Sequence, residues 1–158
     1  MTWVFAYGSN MHLADLRRWL SSRPAPTGRI LGAESAHVEG YRLVLNYYSP
    51  RRGGGAANVR AEPLRRLPGV ALQMDEAGLS ALDAKEGHPR RYTRTATRIL
   101  LASGSDVDAW IYVVRPEHIA ENPVFPTRHY RGLLIEAAVE FSLPSTHVDE
   151  LRRLETCD

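Results

Sequence analysis

The stretch Trp3-Val4-Phe5-Ala6-Tyr7-Gly8-Ser9-Asn10 passes from an apolar run into a glycine turn and then into a helical-looking segment, Met11 to Leu20. A strand, a glycine turn and a helix start, in that order, aim backbone N–H groups at one point. The first turn of a helix leaves its donors without acceptors and carries the positive end of the dipole. Gly8, having no Cβ, lets a ligand approach the backbone closely. Ser9 or Asn10 can cap the helix, and either can also offer its side chain to a ligand. A capped strand-to-helix turn that binds nothing accounts for the same residues, so the turn alone sets a layout and not a function.

Outward from this stretch, Ser21 to Pro26 breaks the first helix, since proline lacks the N–H and disfavours helix in the residue before it. Gly28 to Tyr48 is extended: Tyr41, Leu43, Leu45 and Tyr47 alternate with Arg42, Val44 and Asn46, as in a strand with one buried face. Arg51-Arg52-Gly53-Gly54-Gly55 reads as a loop, a hairpin tip that could also act as a flap over a ligand; its glycines fit neither phosphate-binding spacing. Strands follow at Ala56–Arg60 and Val70–Met74. Asp75 is placed to cap a short helix carrying Leu79 and Leu82, which Gly87 ends and Pro89 keeps from continuing. Tyr92–Leu101 and Ala109–Val114 are extended, joined by a turn at Ser103–Asp106. Thr127–Phe141 and a shorter piece from Ser145 are helical, and Met11 and Trp19 are read as core-facing.

Strands outnumber helices and cluster as hairpins, with too few crossover helices for a doubly wound parallel sheet. The expected fold is α+β: a mixed, largely antiparallel, barrel-like sheet flanked by helices, with residues 1–158 as one domain. The balance of 44% apolar and 24% charged residues is that of a globular chain. A formal charge of +2 gives no case for nucleic acid or an anionic membrane, and the arginine pairs read as decoration of solvated faces. Lys85 is the only lysine, and its solitude suggests the base composition of the source genome more than a role. Cys157, next to the last residue, has no internal partner and sits poorly for a catalytic thiolate. No signal-peptide pattern opens the chain and no run approaches the roughly 20 apolar residues that span a bilayer; a cytoplasmic location is expected. The histidines include no pair at metal-ligand spacing, so neither metal nor cofactor is expected.

Glu86 closes the helix that begins near Asp75, just before its glycine. An anion there faces the negative end of the dipole, at a cost of about 0.3–1 kcal/mol, and burial would disfavour its charged form further. Such a carboxyl suits giving and taking a proton. A solvated glutamate beside Lys85 and Arg90 is the plain alternative, and His88 reads as a surface turn histidine.

Taken together, Tyr7-Gly8-Ser9-Asn10 and the downstream Leu82-Asp83-Ala84-Lys85-Glu86-Gly87-His88-Pro89 with Tyr92 resemble the gamma-glutamylcyclotransferase family. Asn58, Gly69-Val70, Tyr130 and Leu143-Pro144 fall in the order that resemblance expects, while Ser142 stands where relatives often carry glycine. The resemblance implies an enzyme acting on a γ-glutamyl amide, in which the substrate's α-amine attacks its own γ-carbonyl and yields 5-oxoproline and a free amine or amino acid. It implies Glu86 as the acid/base, Tyr7, Gly8, Ser9 and Asn10 as the grip on the glutamyl group, with the Tyr7 hydroxyl a possible donor, and Tyr130 as a second wall. Tyr92 and Asn58 read as structural. The Gly53–Gly55 loop and the C-terminal helices are expected to wall the side where the amine leaves. A module of the same fold that only binds a small anion is the alternative, and oligomeric state is not legible.

Overall fold

β1 (Thr2–Ala6) is short, and three residues in succession, Val4, Phe5 and Ala6, are buried. A strand buried on both faces reads as an unbroken apolar run rather than an alternating one, and the sheet explains the burial. β1 runs antiparallel to β3 (Gly54–Met74), from Thr2 opposite Met74 to Ala6 opposite Val70, and parallel to β5 (Asp106–Val114) at Val4 opposite Trp110. With β2 (Ile30–Ser49) and β4 (Tyr92–Leu101), this closes a barrel in the order β1-β3-β2-β4-β5. Every neighbouring pair except β1 and β5 is antiparallel. The computed structural model describes residues 1–24 and 28–158.

The expected α+β fold, a largely antiparallel barrel flanked by helices, is the one found. Among the described residues the helices are α1 (Leu13–Ser21), α2 (Glu76–Glu86), α3 (Arg128–Glu140) and α4 (Ser145–Arg152). Two of the caps are those the sequence indicates. The Asp75 carboxylate accepts from the Gly78 N–H at 2.7 Å. Gly87 turns left-handed at φ 69°, with its N–H on Ala84 O and the His88 N–H on Asp83 O, the paired bonds of a Schellman close. Thr127 caps α3 through the Tyr130 N–H at 3.1 Å. The core gathers Phe5, Met11, Leu16, Leu72, Leu82, Ile111, Leu134 and Leu151.

Three local readings change. The first helix does not start at Met11: Ser9–Met11 form a 3-10 turn, and α1 begins at Leu13 with His12 as its cap, Nδ1 accepting from the Asp15 N–H at 3.1 Å. An imidazole nitrogen can serve where Ser9 or Asn10 was expected. The break expected across Ser21–Pro26 opens as α1 ends at Ser21, while Ala25 and Pro26 lie outside the described residues. Ala56–Arg60 and Val70–Met74 are not separate strands but the two halves of β3. The β2–β3 ladder skips from Tyr41 opposite Ala61 to Glu39 opposite Arg66, with Gly40 at φ 84° and Leu64 at φ 70° in the bulge. Pro63 therefore stands where no ladder hydrogen bond is asked of it. Likewise Gly54 and Gly55 belong to β3, so the hairpin tip is Pro50–Gly53.

Gly69 marks where β3 passes under β1. A Cβ there would lie 2.4 Å from the Ala6 carbonyl oxygen and 2.6 Å from Phe5 Cζ, and a ladder carbonyl cannot step aside. Gly69→Ala is expected to lower unfolding stability by about 1–3 kcal/mol, read as a shift in the urea midpoint at unchanged slope.

Candidate active site

The end of β1 delivers the glycine turn to the rim of the barrel. Tyr7 is buried and its hydroxyl donates to the Tyr112 carbonyl of β5, so that proton is spent on the frame and not offered to a ligand. Gly8 is required by close approach: a Cβ would stand 2.9 Å from Ala57 Cβ and 3.1 Å from the Tyr130 hydroxyl. The 3-10 turn bonds the Met11 N–H to Gly8 O and the His12 N–H to Ser9 O, each at 3.0 Å. The first two residues of such a turn, Ser9 and Asn10, have no acceptor within it for their own N–H groups.

Asn10 and Glu86, distant in sequence, meet here. Asn10 Nδ2 donates to Glu86 Oε1 at 2.9 Å, and Asn10 Oδ1 accepts from Lys85 Nζ. Lysine can only donate, so it fixes which way the Asn10 amide faces and commits its NH₂ to the carboxylate. Lys85 Nζ also lies 3.6 Å from Glu86 Oε1, with the lysine side chain 1% and the glutamate side chain 15% exposed. Burial pushes the Lys85 ammonium down to about 8; Glu86 opposes that shift, and Arg51 and Arg52 add to it.

Glu86 stands at the junction of two adjoining cavities. Ser9, Glu86, Tyr92 and Tyr130 line both. The inner one is completed by the turn from Tyr7 to Asn10 with Ala57 and Tyr112, and has no charged side chain other than Glu86. The outer one adds Tyr47, Ser49, Arg51, Arg52, Lys85 and Arg91. Arg52 is held by Asp15 at 2.8 Å, both side chains 10% exposed, and its guanidinium sits 5.6 Å from the centre of the Tyr130 ring. A larger groove lies between β2, β3 and α4 and shares no lining residue with either cavity. Convergent buried polar groups, not volume, mark the site.

All six expected residues, Tyr7, Gly8, Ser9, Asn10, Glu86 and Tyr130, thus converge. The Tyr130 hydroxyl accepts from the Ala57 N–H at 2.9 Å. Asn58 does not reach the cavities: it accepts from the Val114 N–H and donates to Asn46. His88 accepts from the Arg94 N–H through Nδ1. Tyr92, read as structural, both donates to Ala57 O at 2.7 Å and lines the two cavities. The outer wall is formed by Arg51 and Arg52 rather than by the Gly53–Gly55 segment, and by α3 rather than α4. Lys85 has no role in the sequence reading; its being the single lysine among 20 Lys and Arg residues is the one signal there that sets it apart. Among the described residues, no group of three His, Cys, Asp or Glu could hold a metal, and no helix is long and apolar enough to cross a membrane.

Residues 4–132 match the profile of the family described as "Gamma-glutamyl cyclotransferase, AIG2-like". The chain belongs to this family. A relative from Methanocaldococcus jannaschii, named "Putative gamma-glutamylcyclotransferase MJ1514", is 37% identical over 114 residues, covering 71% of this chain and 83% of the relative. Among solved structures, one named gamma-glutamyl cyclotransferase superposes with a TM-score of 0.81 at 21% identity, over 99% of this chain and 89% of that one. An uncharacterized protein from Homo sapiens gives 0.82 at 21% identity with the same coverage. At that identity the likeness is one of fold. Family membership makes the chain a gamma-glutamyl cyclotransferase-like enzyme.

Around the site, burial raises the hydroxyl pKa of Tyr7, Tyr92, Tyr112 and Tyr130, most plainly at Tyr7 and Tyr92, and the Asp83 hydrogen bond adds to the rise at Tyr112. For groups with a folded pKa above the unfolded value of 10.0, the folded state holds protons that the unfolded state has released. Their contribution is full below pH 10 and is lost as pH climbs beyond it. Unfolding free energy from urea titrations is therefore expected to fall as pH rises beyond 10, and less steeply in Tyr92→Phe.

Proposed function

We propose that the protein releases 5-oxoproline and a free amine or amino acid from a small γ-glutamyl amide, with Glu86 as the general acid/base. The observation that carries this reading is the placement of one partly sheltered carboxylate, braced by Asn10 and Lys85, where the two cavities meet. The inner cavity takes the glutamyl group and the junction takes the γ-amide. The N–H groups of Ser9 and Asn10, which have no acceptor within the turn, hold the α-carboxylate or the oxyanion that forms at the γ-carbon.

An α-ammonium is no nucleophile, so Glu86 first takes a proton from it. The freed amine attacks the γ-carbonyl carbon and a new C–N bond closes the five-membered ring. As the tetrahedral carbon collapses, the bond to the departing nitrogen breaks and Glu86 returns a proton to that nitrogen, which would otherwise leave as an amide anion. The nucleophilic nitrogen gives up two protons on becoming the lactam N–H. The departing nitrogen gains one on release and a second on becoming an ammonium, so the charges balance. Ring closure supplies its own nucleophile at high effective concentration, and no covalent intermediate with the protein is required.

Tyr7, Tyr92 and Tyr130 serve as walls with protonated hydroxyls. Lys85 is a positioning residue: its ammonium fixes the Asn10 amide, which in turn holds the Glu86 carboxyl where the two cavities meet.

Incubation with a panel of γ-glutamyl compounds should release 5-oxoproline. Glu86→Gln is expected to lower kcat/KM by about 10²–10⁴-fold while the protein stays folded by circular dichroism. Normal turnover in that variant would remove Glu86 from the role. Tight binding of 5-oxoproline with no turnover of any compound would point instead to a binding module.

A further inference from the structure

The two cavities differ sharply in charge. Four cations border the outer one, Arg51, Arg52, Lys85 and Arg91. Two of them are answered: Arg52 by Asp15 and Lys85 by Glu86. The guanidiniums of Arg51 and Arg91 take part in no ion pair among the described residues. Arg91 lies over Gly87, where a Cβ would stand 2.5 Å from its Nε, so the left-handed glycine that ends α2 also makes room for this side chain. Arg51 is set on the hairpin tip, and burial together with its neighbour Arg52 pushes its pKa down while Glu86 opposes the shift. Arg52 Nε adds a buried donor without an acceptor among the described residues. Packing like charges around one cavity is costly unless an anion enters it.

We propose that Arg51 and Arg91 read the departing half of the substrate, selecting γ-glutamyl conjugates whose leaving amine carries a carboxylate over neutral amines and polyamines. This rests on the cyclotransferase reading above, because it is Glu86 at the junction that assigns the outer cavity to the leaving group. The glutamyl half, common to all such substrates, meets the uncharged turn in the inner cavity. The half that varies meets guanidiniums, whose planar donors suit a carboxylate, and a cationic amine would face repulsion there. Specificity would then come from an attraction and a penalty acting at the same place.

The test compares three compounds sharing one glutamyl group: γ-glutamyl-alanine, γ-glutamyl-alaninamide and a γ-glutamyl diamine, each followed by 5-oxoproline release. The acid is expected to exceed the amide in kcat/KM by about 10–100-fold, the worth of one or two charge-assisted hydrogen bonds, and the diamine to be slowest. Arg51→Gln and Arg91→Gln should each shrink the acid-to-amide ratio, mainly through KM for the acid. Arg51→Lys should keep much of it, and Arg98→Gln, an exposed side chain paired with Asp108 six residues along β4 from Tyr92, should leave it unchanged. Equal use of acid and amide by the parent overturns the assignment. So does an equal loss on both compounds in the two glutamine variants, which would put these guanidiniums on the shared glutamyl carboxylate. Release from none of the three compounds would overturn the cyclotransferase reading itself.

Discussion

Closure of the sheet by β1 is the constraint on which the rest depends. A five-residue strand with partners on both sides removes the two free edges that four strands would leave. It also fixes the residue after the strand to a particular point on the rim. The register of Ala6 opposite Val70 leaves Tyr7 to anchor on Tyr112 across the closure, and Gly8 to press against Ala57 and Tyr130. The turn is thus held from three sides, by β5, β3 and α3, and its donors are fixed in place before a ligand arrives. A one-residue slip of β1 would send the tyrosine outward and scatter these contacts.

The second dependence is electrostatic. A buried lysine next to a mostly buried glutamate is a poor stabiliser, because taking both charges from water offsets most of their attraction. The pair is easier to understand as a means of orientation. Lys85 and Glu86 are consecutive on α2, and their charged ends, 3.6 Å apart, are tied together by the Asn10 amide, which accepts from one and donates to the other. The asparagine of the glycine turn therefore locks the N-terminal turn to the end of α2, and the sheltered glutamate inherits its position from both.

How much of this was legible follows the range of the forces involved. Asp75, Gly87 and Thr127 act within a few residues of themselves, and their caps can be read from the chain. The turn and Glu86 were found because each carries a local chemical logic and the two occur in a recognisable order. β3 was read as two strands because Pro63 looks like a breaker, and only the bulge in its partner at Gly40 makes it harmless. The 3-10 start at Ser9 follows a glycine pressed against Ala57 and Tyr130, residues distant in the chain that no window of sequence displays. Lys85 and Arg51 were seen as ordinary basic residues, since only the fold buries one and turns the other toward a cavity.

The solitary lysine has a wider consequence. Every other strongly basic side chain in the protein is a guanidinium, which keeps its charge throughout the alkaline range. Lys85, with its ammonium pushed down to about 8, titrates where none of the arginines does. The outer electrostatic envelope and the charge within the cleft are thereby decoupled. Mild alkalinity therefore neutralises the ammonium beside the Glu86 carboxylate while the guanidiniums bordering the outer cavity keep their charge.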